Sequence, residues 1–424
     1  MKEAMHVHKS RISYGWVVVA TGFTIILVGY AVRNTFTVFY PVIVDDFGWT
    51  RGITAIMYSL TMLSYGLVAP FAGSLVDRFS PKLVFSAGGL VIGGGIALCS
   101  TATSVWHFYL FYGVMVAAGL SLIGFTPLSS LITHWFSGKK AMVFGLLGAG
   151  FGVSLVSAPL FQWLISEYGW RMAYVITGVS AAVLVAPLAL IFLKHSPEQS
   201  QMVADHKAKQ ALSAGAESIS ESLQIAEWSV RSALKTRSYW LLLLMSFCNM
   251  GFAQGVTVAH QVYFLRDVGY APMTAASIFS AFGIAFVAGN LSSGLSDRLG
   301  RTRVFTPGCL LAAAAFTLLY FADATTPVAV ALIFAIATGY GLGITPPTCF
   351  AGIADCFHGR NYGSIQGTAI LAVAFGAAIG PWLGGFLHDL TGSYMITFAL
   401  VQVALVVAAV LMPAVRPPQR EHVH

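Results

Sequence analysis

The sequence predicts an all-α membrane protein with twelve transmembrane helices in two six-helix halves. Three observations predict it. The 424-residue chain is 57% hydrophobic and only 9% charged, where a soluble globular protein carries about 25% charged residues. Its apolar residues fall in twelve runs near the length of about 20 residues that a helix needs to cross a bilayer. Markers of the first six runs also recur in the last six at a fixed offset. Barrel strands would be half as long and would alternate polar with apolar residues, a pattern the chain lacks.

The first six runs are 15–41, 53–76, 82–102, 106–133, 141–166 and 172–193. The first is too long for a signal-peptide core, and no small-residue cleavage site follows it, so it is expected to remain as a helix. Residues 194–237 then break the apolar pattern. They open with the polar "KHSPEQSQMVADHKAKQALSAGAESISES" and pass into "LQIAEWSVRSALKTRSYW", apolar on one face and basic on the other. The latter reads as a segment lying on the inner membrane surface. The last six runs are 239–264, 273–296, 304–322, 328–354, 362–387 and 395–413. The predicted organisation is an N-terminal half (1–193), a cytoplasmic linker (194–237) and a C-terminal half (238–424).

The halves repeat one design. "FGWTR" at 47–51 returns as "VGYAP" at 268–272, "GSLVDRFSPK" at 73–82 as "SGLSDRLGRT" at 293–302, and "WFSGKKAMVFG" at 135–145 as "CFHGRNYGSIQG" at 356–367. The offsets are 221 for Gly48 and Gly269, 220 for Asp77 and Asp297, and 221 for Gly138 and Gly359. Six-helix repeats related by an axis along the membrane normal are a transporter architecture that holds substrate between the halves near the midplane.

The net charge of +7 implies no nucleic acid. With the N-terminus inside, nineteen Lys and Arg fall on the inner side and three (Arg51, Arg171, Arg266) on the outer, leaving Arg33 apart. This is the positive-inside bias, and it predicts a multi-pass protein of the cell membrane with both termini cytoplasmic. The five cysteines lie in or beside apolar runs without paired spacing, which suggests neither a disulfide framework nor a zinc site. The terminal pairs His6/His8 and His422/His424 read as solvated tails. "GGLVIGGG" and "GLLGAGFG" sit inside predicted spans rather than after a strand, so they are packing surfaces for close helices and not nucleotide loops. No span carries a metal triad, a nucleophile with its base, or a phosphate loop in context. The sequence therefore points away from an enzyme, and no cofactor is expected.

Asp77 and Arg78 follow the second span, and Asp297, Arg298, Arg301 and Arg303 follow the eighth. These Asp-Arg loop motifs resemble the signature of the major facilitator superfamily. Within it, "TVFYPVIVDDFGWTR" and "WFSGKKAMVFGLLGAGFGVSLVSAPL" resemble the monocarboxylate transporter and oxalate:formate antiporter group, and the resemblance covers essentially the whole chain. It implies a secondary transporter working by alternating access, with the loop motifs as cytoplasmic gating elements that hold the halves together on the inner side. Their alternative role is to anchor topology at the interface.

Arg33, in "LVGYAVRNTFTVFY", is the one Lys or Arg clearly within a span, and no Asp or Glu is. An arginine at membrane depth costs from about 2.5 kcal/mol upward. Counted from Val17, Arg33 lies about 24 Å into a core of about 30 Å, in its outer third. Three readings stand: snorkelling to the outer interface, bracing of helix ends, or anion binding in the central passage. With no buried carboxylate in the spans, the anion reading gains, since a guanidinium matches a carboxylate as a planar fork. By the resemblance, the functional lysine of animal monocarboxylate transporters falls on Asn34, about 100° round the helix, and bacterial relatives often carry arginine at Arg33. The family's arginine in the eighth helix is missing, with Asn290 near its position, and so is the lysine of oxalate exchangers in the eleventh. A lone positive charge suits a monoanion better than a dicarboxylate.

Tyr65, Asn249, Gln254 and Tyr340 are further candidates for substrate binding, with Thr257 and Gln261 on the same seventh span; most such residues in membranes serve helix packing. His260 is a candidate proton-coupling residue or gate, and alternatively an interfacial hydrogen-bond donor. The expected function is secondary transport of a small organic monoanion, a monocarboxylate, by proton symport or anion antiport. The expected partners are the lipid bilayer, the anion and protons. The alternative is a transporter of a neutral or larger organic substrate with Arg33 structural.

Overall fold

The computed structural model describes residues 2–133, 140–193, 228–357 and 362–417. The linker residues 194–227, the pair His422/His424, the side chains of His6, His8 and Asp77, and the repeat glycines Gly138 and Gly359 lie outside the described residues. Among the described residues every regular element is a helix. The membrane helices are α1 (Tyr14–Phe47), α2 (Arg51–Arg78), α3 (Pro81–Cys99) and α4 (Val105–Ser129), then the apolar stretch Leu146–Phe192. After it come α7 (Arg237–Val268), α8 (Pro272–Ser292), α9 (Arg301–Phe321), α10 (Val328–Cys356), α11 (Gly363–Thr391) and α12 (Met395–Ala414).

Leu146–Phe192 is 47 residues long. One straight helix of that length would span about 70 Å, more than twice a hydrocarbon core of about 30 Å. It breaks at Gly169, where φ 73° and ψ 160° suit a residue without a Cβ. The break gives α5 (146–168, interrupted by a turn at 156–157) and α6 (170–192), and twelve membrane helices in all among the described residues. Glu167, which the apolar runs place at a helix end, is helical, and the break follows two residues later. In the inter-half region, the surface segment expected over 223–240 is described from Trp228 onward. There it is one helical turn, Val230–Ala233, started by a Ser229–Ser232 capping box, and α7 begins anew at Arg237.

The repeated markers "FGWTR" and "VGYAP" have a local cause. α1 and α7 both end on a left-handed glycine, Gly48 (φ 65°) and Gly269 (φ 109°), whose N–H groups bond back to the carbonyls of Val44 and Arg266. A helix start follows at once: Thr50 accepts a bond from the Ile53 N–H, and Pro272 opens α8. This pairing of C-terminal glycine with an N-cap or N1 proline makes a tight turn between antiparallel helices. α1 therefore runs six residues past its predicted end at 41, carrying Asp45 and Asp46 beyond the apolar run.

Within each half, small residues bring backbones close. A Cβ added at Gly93 in α3 would lie 2.5 Å from the Gly178 carbonyl oxygen in α6, and one at Gly341 in α10 would lie 2.4 Å from that of Gly308 in α9. Between halves, α2 runs along α11 and α5 along α8. Large apolar side chains such as Leu90, Trp106, Val183 and Val410 point outward, onto the surface a bilayer covers. An even number of passes puts both chain ends on one side, here the terminal end; the opposite side is the far end.

Substituting Gly93 by alanine forces its partner carbonyl aside and should destabilise the detergent-solubilised protein by ~1–3 kcal/mol, the usual cost of overpacking. The neighbouring Gly94 has nothing within 4 Å of an added Cβ, so Gly94→Ala should melt like the parent. Thermal unfolding of the pair checks this, and equal melting temperatures would contradict the close approach of α3 and α6.

Candidate functional site

Arg33 lies near the middle of α1 and is only 7% exposed. Its guanidinium carbon sits 4.9 Å from the ring centroids of both Tyr30, one turn back on α1, and Phe151 on α5. Two cation–π contacts in a desolvated setting stabilise the charge by about 2 kcal/mol each, on the scale of the burial cost. They leave the N–H donors unspent. Nε and Nη2 both reach Asn34 Oδ1, at 3.4 Å, beyond the usual 2.7–3.2 Å range. No ion pair to Arg33 occurs among the described residues. The side chain therefore neither faces lipid nor is saturated by backbone oxygens, which separates it from the snorkelling arrangement.

The surroundings hold it in place. Asn34 Nδ2 donates to Ser154 Oγ at 2.8 Å, and Ser154 Oγ donates to the Phe151 carbonyl at 2.6 Å. The Tyr112 hydroxyl, on a π-helical segment of α4 (Tyr109–Val116), donates to the Arg33 carbonyl. Such π segments often mark functional positions. Tyr30 and Tyr65 of α2 are both half-buried against the same core. Phe151 meets Phe286 of α8 edge-on, with centroids 5.2 Å apart, so the arginine lies one aromatic ring away from the other half.

The remaining candidates divide. Asn249 is buried and committed to its own half: its Oδ1 accepts from Thr345 at 2.9 Å and its Nδ2 donates to Cys309 Sγ at 3.3 Å. Gln254 on α7 and Tyr340 on α10 are half-buried, with no hydrogen bond among the described residues. His260 is bonded within its own half: its Nε2 lies 2.8 Å from the Pro381 carbonyl and its Nδ1 3.1 Å from the Tyr394 hydroxyl. A carbonyl can only accept, so Nε2 carries the proton and Nδ1 accepts from tyrosine. Gln261, beside it, is buried with neither amide atom partnered.

His260 belongs to a seal between the halves at the far end that sequence reasoning did not find. Arg51, first residue of α2, forms an ion pair with Asp267 and donates to the Tyr394 hydroxyl at 3.1 Å. Its guanidinium carbon is 3.8 Å from the Tyr263 ring centroid. Asp389, near the end of α11, accepts the backbone N–H groups of Arg51 and Gly52 at 2.8 and 2.6 Å, placing a carboxylate on the positive N-terminus of α2. Arg266 pairs with Asp45 at 3.2 Å. Those two positions differ by 221, the repeat offset, so equivalent residues of the two halves meet across the pseudo-two-fold axis.

The terminal-end motifs behave otherwise. They were expected to pair across the two halves, but Arg301 binds Asp297, Ser296 and Asp355, all in its own half. Arg78 and Arg298 are exposed, without an ion pair among the described residues. Every described ion pair between halves lies at the far end, and among the described residues none joins the loop motifs of the two halves.

A family model described as Major Facilitator Superfamily matches residues 22–330 and 243–424. The chain belongs to the major facilitator superfamily. Its curated relatives include Monocarboxylate transporter 13 of Rattus norvegicus, 26% identical over 392 residues with 91% of this chain and 85% of the relative covered. Monocarboxylate transporter 12 of Mus musculus is 25% identical over 424 residues (96% and 86% covered). An uncharacterised MFS-type transporter, YcxA of Bacillus subtilis (strain 168), is 24% identical over 414 residues (93% and 94% covered). Among solved structures, a bacterial homologue of the human lysosomal transporter Spinster, inward-facing and occupied, superposes with a TM-score of 0.68 at 18% identity, covering 95% of each chain. That likeness confirms the twelve-helix fold of this superfamily member, a multi-pass membrane transporter.

Arg51→Gln removes the ion pair, the bond to Tyr394 and the ring contact together. A cysteine placed at Ser59, buried beneath this seal and bonded to the Trp382 N–H, should then react with a membrane-impermeant maleimide about tenfold faster, the ratio given by ~1.4 kcal/mol of lost coupling. Unchanged reactivity would show that these contacts do not hold the far end closed.

Proposed function

We propose that this superfamily member carries a small organic monoanion, a monocarboxylate, across the cell membrane by alternating access, with both termini cytoplasmic. The observation that carries the reading is Arg33: buried, unpaired with any carboxylate among the described residues, and stacked on two rings that satisfy its charge but not its donors. A carboxylate entering beside it gains two parallel charge-assisted hydrogen bonds, while Tyr30 and Phe151 offer apolar surface to its organic tail. Asn34, tied to Ser154, fixes the guanidinium's orientation. Half-buried Tyr65, Gln254 and Tyr340 are the polar groups in this reading that contact the rest of the substrate. The positive-inside bias of the loops supports the orientation, and the names of the relatives support the substrate class.

Binding and gating are then coupled through the axis between the halves. The far-end seal opens as Arg51 leaves Asp267 and Tyr394, and the terminal-end motifs Asp77, Arg78, Asp297, Arg298 and Arg301 come together in exchange. His260 links the cycle to protons: a second proton, on Nδ1, turns that nitrogen into a donor toward Tyr394, which already receives a bond from Arg51. Two cations then share one hydroxyl, and the seal weakens.

A second reading, transport of a neutral or larger organic substrate, is favoured by the contact of Arg33 with Phe151, which makes the arginine a brace between α1 and α5. Reconstituted liposomes separate the two. Wild-type protein should take up some of labelled lactate, pyruvate, acetate, formate or aromatic acids more readily than oxalate. Arg33→Gln should lower that flux 10- to 100-fold, as expected for loss of about 1.5–3 kcal/mol of charged hydrogen bonding, with an unchanged melting temperature, and Arg33→Lys should retain part of it. Undiminished monoanion flux in Arg33→Gln would remove the arginine from the site, and flux of neutral solutes with none of the acids would favour the second reading.

A further inference from the structure

Where α7 begins and α12 ends, three sources of positive charge meet without a counter-ion among the described residues. Arg237 is the first residue of α7, the end of a helix that already bears about half a positive elementary charge from its aligned peptide dipoles. A cation is unfavourable there. Arg416, just past α12, is held against the same spot by Ser238, whose hydroxyl donates to the Arg416 carbonyl at 2.6 Å and accepts its N–H at 3.3 Å. Both arginines line a cavity of about 560 Å³ together with Thr236 and Pro417. Both are exposed, and neither is paired with a carboxylate among the described residues.

The helix start itself is left open. The Thr236 hydroxyl donates to the Ala233 carbonyl at 2.8 Å and caps none of the first N–H groups of α7. Four such groups have no partner inside a helix, so donors and charge converge on one space. Lys235 and Arg231, on the preceding turn, are exposed and add to the same field.

The depth of the cavity is marked by its neighbours. Trp240, one turn into α7, is 56% exposed and its indole N–H donates to the Leu234 carbonyl at 2.9 Å. Exposed tryptophans concentrate at the level of lipid headgroups. Further along, Leu244 of α7 and Val403, Val406 and Val410 of α12 are exposed and apolar, a surface for acyl chains that continues from the basic cavity.

We propose that this cavity is a binding site for the phosphate headgroup of an anionic phospholipid, held by Arg237, Arg416 and the open N-terminus of α7, with its acyl chains on the outer faces of α7 and α12. The site lies at the terminal end, away from Arg33, and does not depend on which substrate the protein carries. Because the linker enters α7 at this point, a lipid bound here fixes the start of the C-terminal half against the membrane surface.

The test uses the full-length protein in a neutral detergent. Native mass spectrometry and thermal melting are followed while dioleoyl-phosphatidylglycerol, dioleoyl-phosphatidylcholine or inorganic phosphate is added. Phosphatidylglycerol should remain bound and raise the melting temperature, and the other two should not. Arg237→Gln/Arg416→Gln should weaken the lipid about 30-fold, from roughly 1 kcal/mol per basic residue at a membrane surface. Arg237→Lys/Arg416→Lys should keep most of the affinity and guards against a folding defect. Arg303→Gln, another exposed arginine of the terminal end, should bind as the parent does. Equal lipid binding by the glutamine double variant would overturn the site. Equal stabilisation by phosphatidylcholine would overturn the recognition of charge, and stabilisation by inorganic phosphate alone would overturn the assignment to a lipid.

Discussion

A guanidinium withdrawn from water, with no carboxylate among the described residues to receive it, is the constraint around which the N-terminal half is arranged. Burying such a charge costs at least about 2.5 kcal/mol. The protein offsets that cost with the π faces of Tyr30 and Phe151, which are good partners for charge and poor ones for N–H groups. Asn34 takes two of the donors at a long 3.4 Å. A structural arginine would normally end on carbonyls or an acid. This one ends on rings and one amide oxygen, the arrangement on which the proposed anion site rests.

The same half connects that site to the other through few contacts. Phe151, which stacks on Arg33, also meets Phe286 of α8, and beyond it the halves close on one another at the far end. There the chain places its charges in complementary fashion: Asp45 against Arg266, Arg51 against Asp267, Asp389 on the N-terminus of α2. Ion pairs at an exposed rim contribute little individually. What makes this set cohesive is that Arg51 is partly buried, bonded to Tyr394 and stacked on Tyr263 at once. A seal built from one multiply engaged residue can open as a unit, which suits alternation between two states better than many independent pairs would.

Much of the fold was legible because membrane insertion writes it directly into composition. Runs of apolar residues give the helices, and the offset of 221 gives the halves. The physical content of that offset emerged only in three dimensions, where Gly48 and Gly269 proved to be matching left-handed caps and Asp45 and Arg266 proved to face each other. The site was legible in part. Arg33 stood out because nothing else charged lies in a span. Tyr30 was one helical turn away on the same face and was within reach of that reasoning; Phe151 was not, because it sits in "GLLGAGFG", where the glycines drew the eye to packing. Asn249 looked like a ligand because polarity alone does not reveal that Thr345 and Cys309, 96 and 60 residues away in sequence, already use it. The far-end seal escaped notice because its residues are ordinary interfacial charges until tertiary structure pairs them.

The claim that Arg33 awaits a negative charge is tested most directly by equilibrium binding of a matched pair of ligands. A transported monocarboxylate and its primary amide have nearly the same size and shape and differ in charge. Purified wild-type protein should bind the acid at least about tenfold more tightly, ~1.4 kcal/mol or more, and Arg33→Gln should bind the two alike. If the wild-type protein bound acid and amide with equal affinity, the guanidinium would not be recognising an anion, and the assigned substrate class would be wrong.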